Sequence, residues 1–275
     1  MNSSSDVAGI LVLLPVQPML RPLVATALTV LSLSACATMG KRDALISDRP
    51  DFTEATALVD RGHVQVEGGS TLSRESEARV VSHGEVLMRA GLSSRLELRV
   101  AGNSFVQEQV DGLTQSGVQD ASVGVKMRLL DAPEGRSWRP ALSVIAHSTV
   151  PTGARIYRSQ RAQPEVKVLT AWSLTDRLGF SSNLNVGRPF DGVRSFTEYA
   201  GSGSLGFAAT DRIGLYAEAF AFAPQDGSKV VSKYVNSGFT FLFSPDVQLD
   251  VRGGIGPQST QRRDYFAGVG LVVRR

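Results

Sequence analysis

Residues 236–256 constrain the fold more than any other stretch, because they have the pattern of a complete β-hairpin. In the first arm phenylalanines occupy alternate positions from Phe239 to Phe243, and in the second arm apolar residues alternate with polar ones such as Gln248 and Asp250. Side chains along a strand point to opposite faces in turn, so each arm has one apolar and one polar face. The arms are joined by Ser-Pro-Asp, which favours a tight turn.

The same alternation recurs along the chain in about twelve segments of strand length. Each is close to the roughly 9 to 11 residues that a tilted transmembrane strand requires. The predicted strands are His63–Ser73, Val80–Ala90, Arg95–Phe105, Val118–Leu130, Trp138–Thr149, Pro164–Leu174, Leu178–Arg188, Thr197–Ala209, Ile213–Phe222, Ser232–Ser244, Val247–Gly256 and Asp264–Val273. The pattern leaves two strands ambiguous. The strand that begins at Trp138 could face either way, and the strand that begins at Ile213 places Tyr216, Phe220 and Phe222 on the same side as Glu218.

The connections between these segments alternate in length. The mostly short ones are residues 91–94, 131–137, 175–177, 210–212 and 244–246. The mostly longer ones are residues 74–79, 106–117, 150–163, 189–196, 223–231 and 257–263. A soluble β-sandwich also alternates along its strands, but it has no reason to sort its connections by length. We therefore predict an all-β fold, a transmembrane antiparallel up-and-down β-barrel of about twelve strands with short periplasmic turns and longer extracellular loops.

Composition agrees with a barrel and argues against several other classes of protein. The chain has 275 residues, of which 42% are hydrophobic and 27 are glycine, as expected when half of every strand is polar. The net charge is only +3, and no basic cluster with interleaved aromatic residues predicts nucleic-acid binding. No Cys/His metal cluster, Gly-rich phosphate loop or dinucleotide fingerprint occurs, so we predict no cofactor and no metal.

Residues 1–36 have the pattern of a bacterial export signal, with its core from Met19. A short charged region precedes an apolar run that ends in Leu-Ser-Ala-Cys. This tetrapeptide resembles the lipobox of bacterial lipoproteins, in which Cys36 would carry the lipid. The alternative is ordinary signal cleavage after Ala37.

Residues 37–62 lack a strand period, and we interpret them as a periplasmic N-terminal segment that precedes the barrel of residues 63–275. The segment is polar and contains Pro50, which disfavours a central strand. One hypothesis makes it a tethering linker. The other places it in the barrel mouth, with Arg49 and Glu54 paired to charges of the lumen.

Strand parity predicts a lumen wall that carries both signs of charge. The candidate lumen-lining residues are Glu67, Glu85, Arg89, Arg95, Glu97, Arg99, Lys126, Arg128, Glu165, Lys167, Glu218, Asp250 and Arg252. A ring of one sign would predict ion selectivity, and this mixture does not. Either the charges form an ion-pair network that stiffens the wall, or opposed acidic and basic arcs orient polar solutes in a constriction.

A hydrolase site within the wall is the weakest of the functional hypotheses. Among the three histidines only His147 lies beside hydroxyl groups, at Ser148 and Thr149. Adjacent residues of a strand point to opposite faces, so His147 and Ser148 cannot pair there. No G-x-S-x-G motif occurs, so we predict that the protein is not an enzyme.

Five strings of residues resemble an outer-membrane family named for the meta-pathway of phenol degradation, whose members are often labelled transporters. They are Asp48–Glu54 (DRPDFTE), Gln65–Gly69 (QVEGG), Arg89–Arg99 (RAGLSSRLELR), Pro151–Gly153 (PTG) and Gln248–Asp250 (QLD). The resemblance runs from about Ile46 to the end of the chain. It implies a barrel of the bacterial outer membrane, inserted by the barrel-insertion machinery, that passes small organic molecules.

These observations leave three functional hypotheses in order of preference. The first is an outer-membrane channel for small organic molecules with a narrow, mixed-charge lumen and an unidentified solute. The second is a structural or surface-interaction barrel with a plugged lumen, and the third is a membrane esterase. Beside the lipid of the outer membrane, lipopolysaccharide is a further predicted partner. Arg155, Arg158 and Arg161 in a predicted extracellular loop either attract lipopolysaccharide phosphates or anionic solutes, or form a solvated rim, which is the preferred interpretation.

Overall fold

The computed structural model describes residues 43–49, 52–75, 78–102, 104–133, 138–228, 230–258 and 263–275. The predicted export signal of residues 1–36 and its candidate lipidation site Cys36 lie outside the described residues, so both stay predictions. Within the described ranges, no helix has the length and apolar character needed to cross a membrane.

All strands of the described chain belong to one antiparallel sheet. They are β1 (Val64–Glu75), β2 (Ala78–Gly91), β3 (Leu96–Ala101), β4 (Phe105–Val110), β5 (Leu113–Val118), β6 (Ala121–Leu130), β7 (Ala141–Val150), β8 (Gln163–Ser173), β9 (Leu178–Gly187), β10 (Glu198–Ala208), β11 (Ile213–Pro224), β12 (Ser232–Ser244), β13 (Val247–Gln258) and β14 (Arg263–Arg274). Strand β1 pairs with β2 on one side and with β14 on the other. This pairing closes the sheet into a barrel, and only β5 has a single partner, β4, among the described strands.

Two of the twelve barrel strands are interrupted. Strand β2 kinks at Gly84 and Glu85, which both have positive φ angles of 96° and 42°. On one side of the kink β2 pairs with β3, and on the other side with β4. Strands β3 and β4 are therefore two parts of one barrel strand, as are β5 and β6. The predicted closed antiparallel barrel of twelve strands is confirmed.

Two connections predicted as loops are tight hairpins. Residues 106–117 form most of the β4–β5 hairpin, which turns through Asp111 and Gly112 alone. Both turn residues have positive φ, at 49° and 80°, as an Asp-Gly turn of the I′ type requires. Within residues 74–79, β1 and β2 pair up to Glu75 and Ala78. The loop prediction was wrong at both places because the strands continue beyond the membrane-length segment.

The faces of the barrel are sorted as parity predicts, with apolar residues outside and polar residues inside. Exposed outward side chains include Val66, Val125, Leu184, Phe239 and Leu271. Fully buried inward side chains include Glu67, Arg89, Glu97, Lys126 and Asp250. Charged interiors and apolar exteriors are typical of barrels whose outer wall contacts hydrocarbon.

The two ambiguous strands are resolved by burial. On β11 the inward positions hold Tyr216, Glu218 and Phe220, so aromatic rings line the lumen beside a carboxylate. On β7 the inward positions hold Ser143 and Ile145, which are both almost fully buried. The inner wall is thus mostly polar, with buried aliphatic side chains such as Ile145 and Leu169 and an aromatic surface on β11 as exceptions.

The extracellular loop between β7 and β8 is fastened to the barrel by Asp120. Its carboxylate accepts hydrogen bonds from the N–H groups of Thr152, Gly153 and Ser159 at 2.9, 2.8 and 2.8 Å. Burial alone would raise the pKa of the Asp120 carboxyl, but these N–H donors lower it below its ordinary value of 3.8.

Replacing Asp120 by alanine is expected to free this loop, because three N–H groups lose their acceptor. The exposed bonds after Arg155, Arg158 and Arg161 should then be cut faster by trypsin in the folded barrel. The pKa of Asp120 in the folded protein lies below 3.8. The hydrogen bonds of its carboxylate to the loop are therefore fully present above that pH, and they are lost as the pH falls through the folded pKa. Hydrogen exchange of the loop amides checks the pH dependence, and protection that already fades near pH 6 would contradict it.

Candidate functional site

Residues 43–49 and 52–62 lie inside the barrel, and we call them the plug. At its start the Leu45 N–H donates to the carbonyl of Pro245 at 2.7 Å, in the short turn between β12 and β13. At its end the Gly62 N–H donates to the carbonyl of Gly91 at 2.9 Å, again at the short-turn end. The plug therefore enters and leaves the lumen from the periplasmic side, rather than forming a tether outside the barrel.

Asp48 is the centre of the contacts between plug and wall. Its Oδ2 atom lies 2.9 Å from Lys126 Nζ, 2.5 Å from Arg99 Nη1 and 3.4 Å from Arg89 Nη1. Its N–H donates to the Glu67 carboxylate. Burial alone would raise the pKa of the Asp48 carboxyl, but the three cations hold it well below its ordinary value. One plug carboxylate thus neutralises a cluster of wall cations that would otherwise repel one another.

The same cations are fixed from behind by wall carboxylates. Arg89 donates from Nε and Nη2 to the two oxygens of Glu97, both at 3.0 Å, and from Nη1 to Glu67 at 2.9 Å. Glu97 also accepts the N–H of Val59 in the plug at 2.8 Å. The predicted ion-pair network therefore exists, and the plug forms part of it.

Arg49 extends the network to the neighbouring part of the wall, from β2 to β13. Its Nη1 atom is 2.9 Å from the Glu85 carboxylate, and its Nε atom is 3.4 Å from that of Asp250. The guanidinium lies against Gly69 and Gly270, which pair with each other across β1 and β14. A Cβ atom added to either glycine would approach Arg49 atoms to 2.4 or 2.3 Å, so only glycine leaves room for this side chain.

Glu54 connects the plug to a looser group of charges nearer the long-loop end. It is 3.0 Å from Arg99 Nη2 and 3.5 Å from Lys167 Nζ. Lys167 is also 3.6 Å from Glu165, which is 2.7 Å from Nε2 of His147. Because its two ion pairs are 3.5 and 3.6 Å long, the Lys167 ammonium is held less tightly than the cations around Asp48.

Glu218 of β11 fastens the tip of the plug. It accepts the N–H of Phe52 at 2.9 Å, and both the N–H and the hydroxyl of Thr53 at 2.5 Å. The amide of Asn236 donates to the same carboxylate at 2.6 Å, and the Thr53 hydroxyl oxygen accepts a hydrogen bond from the Ser202 hydroxyl at 2.8 Å. A single wall carboxylate therefore satisfies two backbone N–H groups at the turn of the plug.

Replacing Gly91 by alanine is expected to unseat the exit of the plug. A Cβ atom there would lie 2.1 Å from the Asp60 carbonyl oxygen and 2.3 Å from that of Val59, and both are backbone atoms. Overpacking of this kind costs about 1–3 kcal/mol, so the released fraction should rise roughly five- to a hundredfold. Cleavage after Glu54 by a glutamate-specific protease measures release in the folded barrel.

The matched control is Gly206→Ala, because a Cβ atom at Gly206 meets nothing within 4 Å. Equal protection of the bond after Glu54 in the Gly91 and Gly206 variants would contradict the expectation that glycine at position 91 is needed to seat the plug.

Three predicted lumen residues lie away from the centre of the network. Arg95 and Arg128 both pair with Asp131 at the short-turn rim, at 3.6 and 3.5 Å, and the Arg95 side chain is 64% exposed. Arg252 lies nearer the long-loop end, where it donates to Thr71 at 2.9 Å. Strand parity alone cannot distinguish an inward residue at the rim of the barrel from an inward residue halfway along it, because both lie on the same face of a strand.

The residues that parity missed belong mainly to the plug, which has no strand period. Asp48 and Thr53 are among its most buried polar residues. Neutral wall residues were missed as well, since only charges were taken as candidates; Asn183, Asn185 and Ser204 are buried in the wall. A usable signal was the polar, proline-containing string that precedes a barrel whose wall charges need partners.

Two of the cavities in the lumen lie along β11 and β12, on opposite sides of the plug tip. The outer cavity, about 510 Å³, is lined by Phe220 of β11 and by Asn236 of β12 near the long-loop end. The inner cavity, about 330 Å³, is lined by Tyr216 and Thr240 of the same strands nearer the short-turn end. On β11 the only inward side chain between the two cavities is Glu218. The closure is therefore thin at the point where the wall grips the plug tip.

The arrangement that a serine hydrolase needs is not formed at His147. The imidazole pairs with Glu165 across the β7–β8 ladder, whereas the Ser148 hydroxyl donates to the carbonyl of Thr149 at 3.0 Å. The two side chains occupy adjacent positions of one strand and point to opposite faces.

Comparison with known proteins finds a family and a fold. A family model described as "Putative MetA-pathway of phenol degradation" matches residues 47–274. The COG4313 outer membrane channel from Pseudomonas putida F1 is 12% identical with a TM-score of 0.61, covering 80% of this chain and 97% of that chain. The NanC porin is 11% identical with a TM-score of 0.51, covering 76% of this chain and 98% of that chain. At these identities the likeness shows the fold, and no curated protein matches the chain.

Proposed function

Because this chain belongs to the family described as "Putative MetA-pathway of phenol degradation" and has the fold of outer-membrane channels, we propose that it is an outer-membrane channel for small organic solutes that its own plug closes at rest. The observation that carries the proposal is the pair of cavities on either side of a thin closure. A solid core would have no such spaces. A solute in the outer cavity needs only displacement of the plug tip at Glu218 to reach the inner one.

One part of the lumen wall carries no charged groups. The cations and carboxylates that hold the plug lie on β1–β3, β6, β8, β11 and β13, whereas β9 and β10 present Asn183, Asn185, Ser202 and Ser204. Hydroxyl and amide groups bind polar solutes without a preferred sign of charge. Since the wall has no ring of one charge, we expect weak ion selectivity and passage of neutral or singly charged organic molecules.

The test is planar-bilayer conductance of the purified full chain, with liposome swelling in a panel of small solutes. We expect conductance with a low open probability, because the plug must move for each opening. A folded and inserted barrel that shows neither conductance nor solute flux, with the plug seated or released, would end the channel proposal.

A sealed structural barrel is the second candidate, favoured by the full burial of Arg89, Glu97 and Lys126 in the network. Buried charges that are all paired resist separation, because breaking one pair leaves its partner uncompensated. Deletion of residues 38–62 separates the candidates. Conductance that appears only after the deletion supports the sealed barrel, whereas openings of the intact chain support the channel.

A further inference from the structure

The outer cavity contains an aromatic surface that membrane insertion does not require. Phe220 lies between Phe52 of the plug and Tyr234 of β12, with ring centroids 4.7 and 4.8 Å apart and interplanar angles of 14° and 6°. Phe222 meets Phe52 and Tyr234 edge-on at 5.2 and 6.1 Å. Aromatic side chains of a barrel usually face lipid, yet this group faces the lumen. Apolar area left facing water gains free energy when a ligand covers it.

A loosely held ammonium group lies beside this surface. Lys167 Nζ is 6.0 Å from the ring centroid of Phe52. Its carboxylate partners, Glu54 and Glu165, are 3.5 and 3.6 Å away, beyond the usual length of a charge-assisted hydrogen bond. The Asp48 ion pairs, by contrast, are as short as 2.5 Å. Lys167 can therefore accept a further carboxylate more easily than the cations at the centre of the network.

We propose that the outer cavity is a binding site for small aromatic monocarboxylates. The aromatic ring lies against the edges of the stack formed by Phe52, Phe220 and Tyr234, and the carboxylate pairs with Lys167. A cavity of about 510 Å³ has the size of known small-molecule sites. Arg74 and Arg252 also line this cavity and favour one negative charge on the ligand. The carboxylates in the lining disfavour a second one; they are Asp48, Glu54, Glu75, Glu85 and Asp264.

The site also couples solute to plug, since Phe52 and Glu54 belong to the plug. A ligand carboxylate that takes Lys167 competes directly with Glu54 for the same ammonium group. Bound solute therefore weakens one of the contacts that keep the plug seated. This consequence rests on the proposed channel function, whereas binding itself does not.

Calorimetric titration of the detergent-folded full chain tests the site with three probes. Benzoate carries ring and charge, benzyl alcohol carries the ring alone, and acetate carries the charge alone. We expect one saturable benzoate site, with each of the other probes at least about tenfold weaker, since each lacks one of the two contacts. Comparable affinity for all three probes would overturn the proposal.

Variants separate the two halves of the site. Lys167→Gln and Phe220→Leu should each weaken benzoate about tenfold or more, while Lys233→Gln, at an exposed lysine of β12, should leave it unchanged. Phe220 lies on the wall, so its effect does not depend on the ion pairs of the plug. Unchanged benzoate affinity in both Lys167→Gln and Phe220→Leu would refute the site. Because titration needs no current, binding without conductance counts against the channel and not against this site.

Discussion

Replacing Asp48 by alanine is expected to release the plug, with the largest effect of any single substitution in it. Lys126, Arg89 and Arg99 lose the carboxylate that they share, and Lys126 keeps only the carbonyls of the plug as acceptors. Removing one partner of a buried ion pair costs about 3–5 kcal/mol, which corresponds to roughly two to four orders of magnitude in the ratio of released to seated plug.

Two measurements check this expectation in the folded barrel. Open probability in planar bilayers should rise, and the bond after Glu54 should become sensitive to a glutamate-specific protease. Asp60→Ala is the matched control, because Asp60 is an exposed aspartate near the exit of the plug. If the Asp48 and Asp60 variants behaved alike, the buried ion pairs would not be what seats the plug.

Replacing Glu218 by alanine is expected to free the tip of the plug while its base stays in place. The N–H groups of Phe52 and Thr53 and the Thr53 hydroxyl lose their common acceptor. Hydrogen bonds to a charged group contribute about 1.5–3 kcal/mol each, though three bonds to one carboxylate are not independent. We expect open probability to rise by at least about a hundredfold, as frequent short openings.

A series at this position distinguishes charge from shape. Glu218→Gln keeps one carbonyl oxygen as an acceptor and should fall between the native residue and alanine. Glu198→Gln on the neighbouring strand changes an acidic group that has no contact to the plug, and it should leave gating unchanged. Glu218→Ala with native gating would mean that the closure lies elsewhere in the lumen.

Strand existence, strand order and the two faces of the barrel could be predicted from the sequence because a period of two is a property of consecutive residues. The hairpin from Phe239 to Asp250 illustrates this, with Asp250 fully buried and Phe239 exposed as parity predicts. Loop lengths were less predictable, since Asp111-Gly112 turns the chain in two residues where polar composition suggested a long loop.

The plug could be proposed but not located, because its contacts join residues far apart in the chain. Arg49 meets Asp250 across 201 residues, and Thr53 meets Glu218 across 165. Neither contact has a local signature. The ambiguous inward face of β11 is explained by the same contacts, since Glu218 binds the plug tip while Phe220 stacks on Phe52.

The sequence strings that carry the family resemblance contain residues of the plug and the wall residues that contact it. Asp48–Glu54 supplies the plug charges, Gln65–Gly69 supplies Glu67 and the glycine beside Arg49, and Arg89–Arg99 supplies Arg89, Glu97, Arg99 and the glycine at the exit of the plug. Asp250, at the end of the string Gln248–Asp250, pairs with Arg49. These residue types are needed because a buried segment of backbone and charge requires matched partners.

A disulfide between plug tip and wall tests the central claim most directly. The hydroxyl oxygens of Thr53 and Ser202 are 2.8 Å apart, so cysteines at both positions place two sulfur atoms near bonding distance. In a Cys36→Ser background, the account predicts that the oxidised Thr53→Cys/Ser202→Cys barrel is silent in planar bilayers and begins to open on reduction, while each single cysteine variant opens in both states. An oxidised double variant that conducts as well as its reduced form would contradict the claim that the plug is the gate.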